Sequence, residues 1–214
     1  MSILPTKHSI ISLVSILTIW ATLAFSQKGP HSLGEPILTD SLSTMFIPSR
    51  YTETLFTSNK LASWGNYYAN ILVYDFKKDT YKKLFEKDTF IEAFTFGSTH
   101  YPYSSRTDTK IKNLTGDWVF LLVKTKDTNK SGRIDEKDAS VLFAVSTKGD
   151  RLKQLTEENE NVESFTAYER QGFVFIKIQR DSDKDGAFKS EDKNYYLRKL
   201  SLKDLSWGNA IEVN

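Results

Sequence analysis

The chain has 214 residues, 29 basic against 27 acidic side chains, 13% aromatic residues and no cysteine. Balanced charge and plentiful aromatics exclude an intrinsically disordered chain and a polybasic nucleic-acid binder, and describe one globular unit. The lack of cysteine excludes disulfides, thiol catalysis, thiolate zinc sites and a lipid anchor on an N-terminal cysteine, while His8, His31 and His100 alone make histidine metal sites and Ser-His-Asp triads hard to build.

The first segment reads as a targeting signal. Lys7 and His8 precede an apolar run from Ile10 to Ala24, and Ala24 and Ser26 supply small residues for cleavage after Ser26. The expected organisation is a signal peptide over 1–26 and a single β-repeat domain over 27–214, secreted or periplasmic. The competing reading is an uncleaved anchor, since the run of about 16 residues approaches the ~18 of a spanning helix. Ser12, Ser15 and Thr18 interrupt the run and favour cleavage.

Comparison of the chain with itself organises the remainder. Ile91-Glu92-Ala93-Phe94-Thr95 recurs as Val162-Glu163-Ser164-Phe165-Thr166, an offset of 71, and nearly the same register sets Asn70 to Tyr74 on Ser140 to Ala144. A second offset, 54, sets Val119 to Lys126 on Phe173 to Arg180 and Asp127-x-Asn129-x-Ser131-Gly132 on Asp181-x-Asp183-x-Asp185-Gly186. Three units follow, at about 51–96, 118–168 and 172–214. In each, a first strand (51–57, 118–126, 172–180) enters a polar loop and a second leaves it (70–76, 140–147, 194–202). A third ends at Leu84-Phe85, Leu155-Thr156 or Ile211-Glu212-Val213, and the Ile/Val-Glu-x-Phe-Thr segment supplies a fourth. Enrichment in Val, Ile, Phe, Tyr and Thr with intervening turn residues is the strand signature, so the expected fold is all-β.

An apolar strand, an acidic Gly-containing loop, Val141-Leu142-Phe143-Ala144-Val145, the turn Lys148-Gly149-Asp150, Leu152 to Thr156 and then Val162 to Thr166 resembles a blade of the TolB-like β-propeller group. The resemblance covers about residues 51–214 and implies four-stranded blades that serve as binding platforms in the bacterial cell envelope. Three units give roughly twelve strands, whereas propellers typically close with 4 to 8 blades. Either residues 35–48 add strands, or the blades form an open arc completed by a partner or oligomer, or the units pack as a sandwich.

Two loops carry the sharpest chemistry. Asp127, Asn129, Ser131, Gly132, Arg133, Asp135 and Asp138 fall at positions 1, 3, 5, 6, 7, 9 and 12 of an EF-hand-type calcium loop. Asp181, Asp183, Asp185, Gly186, Ala187 and Asp192 repeat positions 1, 3, 5, 6, 7 and 12, with Lys189 at position 9. Oxygens at 1, 3 and 5 point inward, Gly at 6 permits the sharp turn, the carbonyl of Arg133 or Ala187 contributes at 7, and the acid at 12 closes the shell. Hard oxygen donors without nitrogen or sulfur select Ca²⁺. Strands flank these loops, so the likeness to an EF-hand is confined to the loop. The second loop has more acids at ligand positions, offset in part by Lys189. The equivalent loop of the first unit, Ser58 to Ala69, holds no acid and is expected to bind no metal. The bland reading is two ordinary acidic turns.

Weaker candidates remain. Ser98 to Arg106, with Trp64, Tyr67 and Tyr68, either line an aromatic recognition surface or cap the core. Glu92 and Glu163, equivalent in the repeat, read as architectural rather than as an acid/base pair. The expected function is an exported noncatalytic binding or scaffold protein with Ca²⁺ stapling two loops, its partner a protein or glycan of the envelope. No nucleic acid is expected, and the membrane is engaged only through the first segment if that is uncleaved. The alternative is an envelope hydrolase, or a subunit of one, acting on a glycan or peptide near His100 and Tyr103.

Overall fold

The computed structural model describes residues 31–38, 43–51, 68–95, 117–132, 134 and 137–212. All strands among them are antiparallel and form two sheets, neither closed on itself. The first sheet takes β1 (His31–Leu33), β2 (Ile37–Leu38), β3 (Thr44–Tyr51), β4 (Tyr68–Asp75), β5 (Thr80–Lys83), β6 (Phe90–Thr95), β7 (Trp118–Lys124), β8 (Val141–Ser146) and β9 (Lys153–Gln154). Its order is β1-β3-β4-β6-β7-β8-β9, with β2 added to β3 and β5 to β4. The second sheet is β10 (Glu160–Tyr168), β11 (Phe173–Arg180), β12 (Asn194–Ser201) and β13 (Trp207–Glu212), in that order. A short 3-10 turn, Glu169–Gln171, joins β10 to β11.

The β7–β8 hairpin sets the layering because it is apolar on both faces. Val119, Leu121, Val123, Val141, Phe143 and Val145 point one way, into a core shared with Phe46, Ile71, Val73, Phe85 and Ile91. Trp118, Phe120, Leu142 and Ala144 point the other way, against Val174, Ile176, Ile178, Tyr196 and Leu200 of the second sheet. A strand alternates its side chains between faces, so a run without polar residues is buried on both. β3–β4, β7–β8 and β11–β12 therefore form three layers. Phe120, Leu121 and Leu142 are fully buried, each contributing about 1.5–3 kcal/mol. For the first sheet to supply two layers it folds back between β4 and β6, where the single pair Tyr68 and Ile91 joins them.

β3, Thr44–Tyr51, is the neighbour of β4; of the strand expected over 51–57 only Tyr51 lies within the described residues. Pro48 lies inside β3 without breaking it. Its carbonyl accepts the Gly34 amide at 2.8 Å, so its missing N–H faces the gap between β1, which pairs at 49–51, and β2, which pairs at 45–46. Residues 35–48 thus do add strands. The Val162 to Thr166 segment also departs from expectation, because it opens the second sheet instead of closing the unit before it. β10 pairs with β11 along its whole length, whereas its backbone tie to the β8 side is Val162 N–H to the Ser140 carbonyl, 2.8 Å. The C-terminal strand, expected to end in Ile211-Glu212-Val213, runs over Trp207–Glu212 among the described residues.

Corresponding positions make corresponding bonds. Leu84 donates to the Ile71 carbonyl and Leu155 to that of Leu142, both at 2.8 Å. β6 shifts register around Glu92 and β10 around Glu163. Each of these bulge glutamates faces a lysine of the next strand, Lys124 at 3.4 Å and Lys177 at 2.5 Å.

The β12–β13 turn gives a test of pH dependence. Ser206 donates to Asp204 through its hydroxyl at 2.7 Å and its amide at 3.1 Å. These bonds, with one from Ser201, lower the Asp204 carboxyl from 3.8 to about 2. A depressed folded-state value means the contribution is present above about pH 4 and lost as pH falls toward about 2. Asp204→Asn is expected to melt below the parent at pH 6, with the gap much reduced at pH 2 and closing below it, read by circular dichroism.

Candidate cation-binding site

Both acidic loops are hairpin connections, the first joining β7 to β8 and the second β11 to β12. Their backbones match at positions 4 and 6. Lys130 and Lys184 have φ of 57° and 61°, and Gly132 and Gly186 have 93° and 79°. Left-handed backbone at position 4 costs a side-chain-bearing residue on the order of 1 kcal/mol, so the loops must be held from within.

The acids do this holding. Asp127 accepts the amides of Ser131 at 3.0 Å and Gly132 at 2.8 Å, and Asp181 accepts those of Lys184 and Gly186, both at 2.8 Å. Asn129 accepts from Ser131 at 2.9 Å, and Asp183 from Asp185 at 3.2 Å. The two acids at position 12 are buried and reach back to position 2. Asp138 accepts the Thr128 amide at 2.7 Å and Asp192 the Ser182 amide at 3.0 Å. Asp192 also accepts from the Lys189 amide at 3.1 Å. Positions 1, 3 and 12 of both loops thus spend part of their acceptor capacity on backbone amides of their own loop.

In the second loop Asp181, Asp183 and Asp185 each present a carboxylate oxygen, all within 4.8 Å of one another. A cluster of three close acids that could hold a metal ion is thus in place. Ala187, whose amide donates to Asp185 at 2.7 Å, is buried beside it. Lys189 bonds to the Asp185 carboxylate through its ammonium, an interaction that lowers the Asp185 pKa and raises that of Lys189. The Asp185 amide pulls the Asp183 carboxyl down, but lost hydration and the neighbouring Asp181 and Asp185 outweigh it, and the Asp183 pKa is raised. Crowded negative charge thus stays only partly compensated, which is the condition a divalent cation relieves.

In the first loop Asp127, Asn129, Ser131 and Asp138 are described, while Arg133 and Asp135 lie outside the described residues. So do His100, Tyr103, the rest of 98–106, Trp64, Tyr67 and the segment 1–26. Tyr68 packs edge-on against Phe94 at 5.0 Å and carries the Arg50 guanidinium 4.8 Å from its ring centre, so it helps cover the core.

The two loops touch. Phe188 donates its amide to the Lys137 carbonyl at 2.8 Å, and a Cβ on Gly186 would overlap the Thr128 carbonyl. Between them lies a cleft of about 420 Å³ whose walls include Asp127, Asp181, Phe188 and Glu158. Glu158 pairs with Lys126 across its rim at 3.2 Å.

Behind the first loop sits a network that sequence reasoning missed. The Lys124 side chain is 3% exposed and its ammonium donates to the Asp138 carbonyl at 2.6 Å and to Ser140 Oγ at 2.9 Å. Glu92, 3.4 Å away, also accepts the Ser140 hydroxyl. The available signal was a lysine ending the apolar run that begins at Trp118, together with a glutamate repeated at both bulges. Behind the second loop the corresponding donor is neutral: Gln179 donates to the carbonyls of Lys189 at 2.6 Å and Asp192 at 2.9 Å.

Two stability outcomes follow. Lys124→Met leaves Glu92 without its buried partner and is expected to cost about 3 kcal/mol, against about 1 kcal/mol for Glu92→Gln, whose site keeps access to water. At position 6, Gly132 has open space around it, so Gly132→Ala should cost only the backbone term, about 1 kcal/mol. Gly186→Ala adds the collision with Thr128 and should lose about 2 kcal/mol or more. Urea denaturation of the four variants separates these values.

Set against known protein families and curated proteins, the chain matches no family model and no curated sequence.

Proposed function

We propose that this chain is an exported, noncatalytic binding or scaffold module of the cell envelope, built of propeller-like β-blades, in which Ca²⁺ staples the loops at 127–138 and 181–192. The observation that carries the reading is the convergence of Asp181, Asp183 and Asp185 within 4.8 Å on a loop closed from behind by buried Asp192. The donor set is oxygen throughout, which suits Ca²⁺. The shared backbone pattern at Lys130/Gly132 and Lys184/Gly186 supports the same role for the first loop. Blade-like repetition is supported by the matching bonds of Leu84 and Leu155 and by the bulges at Glu92 and Glu163.

A staple is favoured over a sensor. The loops join strands that are already paired on both sides of them, so a cation pins a hairpin and opens no groove. At a dissociation constant of ~10⁻⁴ M and 1 mM free Ca²⁺, each ion adds about 1.4 kcal/mol, enough for two ions to raise the melting temperature by roughly 6–10 °C. The platform then offers its surface to a protein or glycan partner.

Calorimetric titration with CaCl₂, paired with melts in Ca²⁺ and in chelator, tests this directly. Two ions are expected, with Asp127→Ala and Asp181→Ala each removing one, and chelation is expected to lower the melting point by the amount above. Heat no greater than dilution at millimolar Ca²⁺, with identical melts, would leave both loops as ordinary turns.

A further inference from the structure

The three layers stack by one rule. Leu84 donates to the Ile71 carbonyl as Leu155 does to that of Leu142, so Ile71 corresponds to Leu142. Lys124 and Gln179 each reach the carbonyl of their loop's closing acid, so the ladder pairs Phe120/Ala144 and Leu122/Leu142 correspond to Phe175/Lys199 and Lys177/Leu197. Each layer thus has a forward face, holding Ile71, Leu142 or Leu197, and a rear face, holding Tyr74, Val145 or Leu200. The forward face of the first layer, with Phe46 and Ile71, lies on the rear face of the second, with Leu121 and Val145. The forward face of the second, with Phe120 and Leu142, lies on the rear face of the third, with Ile176 and Leu200. Bonds across both interfaces fix their angle: Thr44 Oγ1 donates to the Thr147 carbonyl at 2.8 Å, and Asn161 accepts the Ser140 amide and donates to Gln179, each at 2.9 Å.

One face of each kind is left over. No described strand lies on the rear face of the first layer, where Leu38, Met45, Ile47, Leu72, Tyr74 and Tyr81 share a side through their ladder pairs. Tyr81 is 67% and Leu38 52% exposed. Nor does a described strand lie on the forward face of the third layer, where Tyr168, Phe173, Phe175, Leu197 and Ile211 share a side. Ile211 is 51% and Leu197 39% exposed, and the rings of Tyr168, Phe173 and Phe175 pack on one another within 5.9 Å. The lysines of this face lie along it. Lys199 Nζ is 4.5 Å from the Phe173 ring centre and Lys177 Nζ 4.4 Å from that of Tyr195, while Glu163 pairs with Lys177. Their stems add to the apolar cover. Lysines where the interior has Leu122 and Ala144 give the more polar composition of an interface between chains that fold before they meet.

We infer that the two open faces fit each other in a second copy of this chain: the forward face of one copy's third layer takes the rear face of the other copy's first, and the same contact forms again on the opposite side, closing a head-to-tail dimer. This rests on the blade reading above and names a partner which that reading leaves open. The contact repeats, between copies, the forward-on-rear packing made twice within the chain. A head-to-tail contact either closes into a ring or runs on as a filament. The layer count decides: one copy falls short of the 4 to 8 blades at which propellers close, a third copy overshoots, and two copies fall within the range. Closure covers both apolar ends without asking either to pair with itself.

The experiment is light scattering on the full chain over a dilution series, where twice the 24.5 kDa of one chain is expected. Leu38→Glu with Tyr81→Glu spoils only the rear face, and Leu197→Glu with Ile211→Glu only the forward one. All four side chains are exposed, so the fold is kept, which circular dichroism checks. Each double variant is expected to dimerise more weakly by roughly tenfold or more. Mixed, the two are expected to bind each other more tightly than either binds itself, since one contact between them is intact on both sides. A single-chain mass for the parent at the highest concentration reached overturns the pairing, and a mass climbing past two chains overturns closure. Loss of the dimer in only one double variant means a face that pairs with itself, and association surviving in both is carried elsewhere; either result overturns the head-to-tail contact. Small-angle scattering of the monomeric form separates this from the blade reading: a profile matching the three-layer stack keeps the blades when the pairing fails, and one that departs from it removes both.

Discussion

The constraint on which the structure depends is that the β7–β8 hairpin is apolar on both faces. Water must be kept from both sides of one two-stranded ribbon, and a single covering layer cannot do so. The chain meets the requirement by laying β3–β4 on one face and β11–β12 on the other. The layering, the fold-back of the first sheet and the contact between the two acidic loops all follow. β7–β8 and β11–β12 pack face to face, and their connections meet at the same end. A polar residue at Phe120 or Leu142 would therefore disturb both the core and the geometry of the loops.

Each acidic loop is held together by the same atoms that a cation would use. The carboxylates of Asp127, Asp138, Asp181 and Asp192 accept backbone amides and so shape the loops without a metal. Those same oxygens are the donors a cation would use. In the second loop Lys189 supplies a positive charge to Asp185 from inside the chain, and a divalent ion would have to compete with it. Such a loop is already formed by its own hydrogen bonds, so an ion bound there would tighten an existing hairpin.

Much of this was legible in the residues. The strands of the second and third units lie close to where composition and alternation place them, because β-branched and aromatic runs bounded by Gly, Asp and Lys leave few other choices. The equivalence of the two loops was visible from Asp, Asn and Gly spacing alone, and it reappears in the matching φ values of Lys130 with Lys184 and Gly132 with Gly186. What escaped was set by tertiary context. Pro48 sits inside β3 and is tolerated there because β1 and β2 leave a gap beside it. The Val162 to Thr166 segment joins the following sheet because eight residue pairs with β11 outweigh one bond to Ser140. The roles of Lys124, Asn161 and Gln179 depend on the approach of separate hairpins, which no local pattern encodes.

The Lys124–Glu92 pair sits beside the fold-back of the first sheet, since Glu92 follows Ile91, the residue that joins β6 to β4. Glu92 and Lys124 belong to β6 and β7, which pair with each other on one side of that fold, so the ion pair ties the β6–β7–β8 ribbon together and does not span the junction. The junction itself is crossed by the one ladder pair Tyr68 and Ile91. Mechanically the sheet is therefore two stiff plates meeting along a narrow seam, and relative motion of its layers concentrates at that seam.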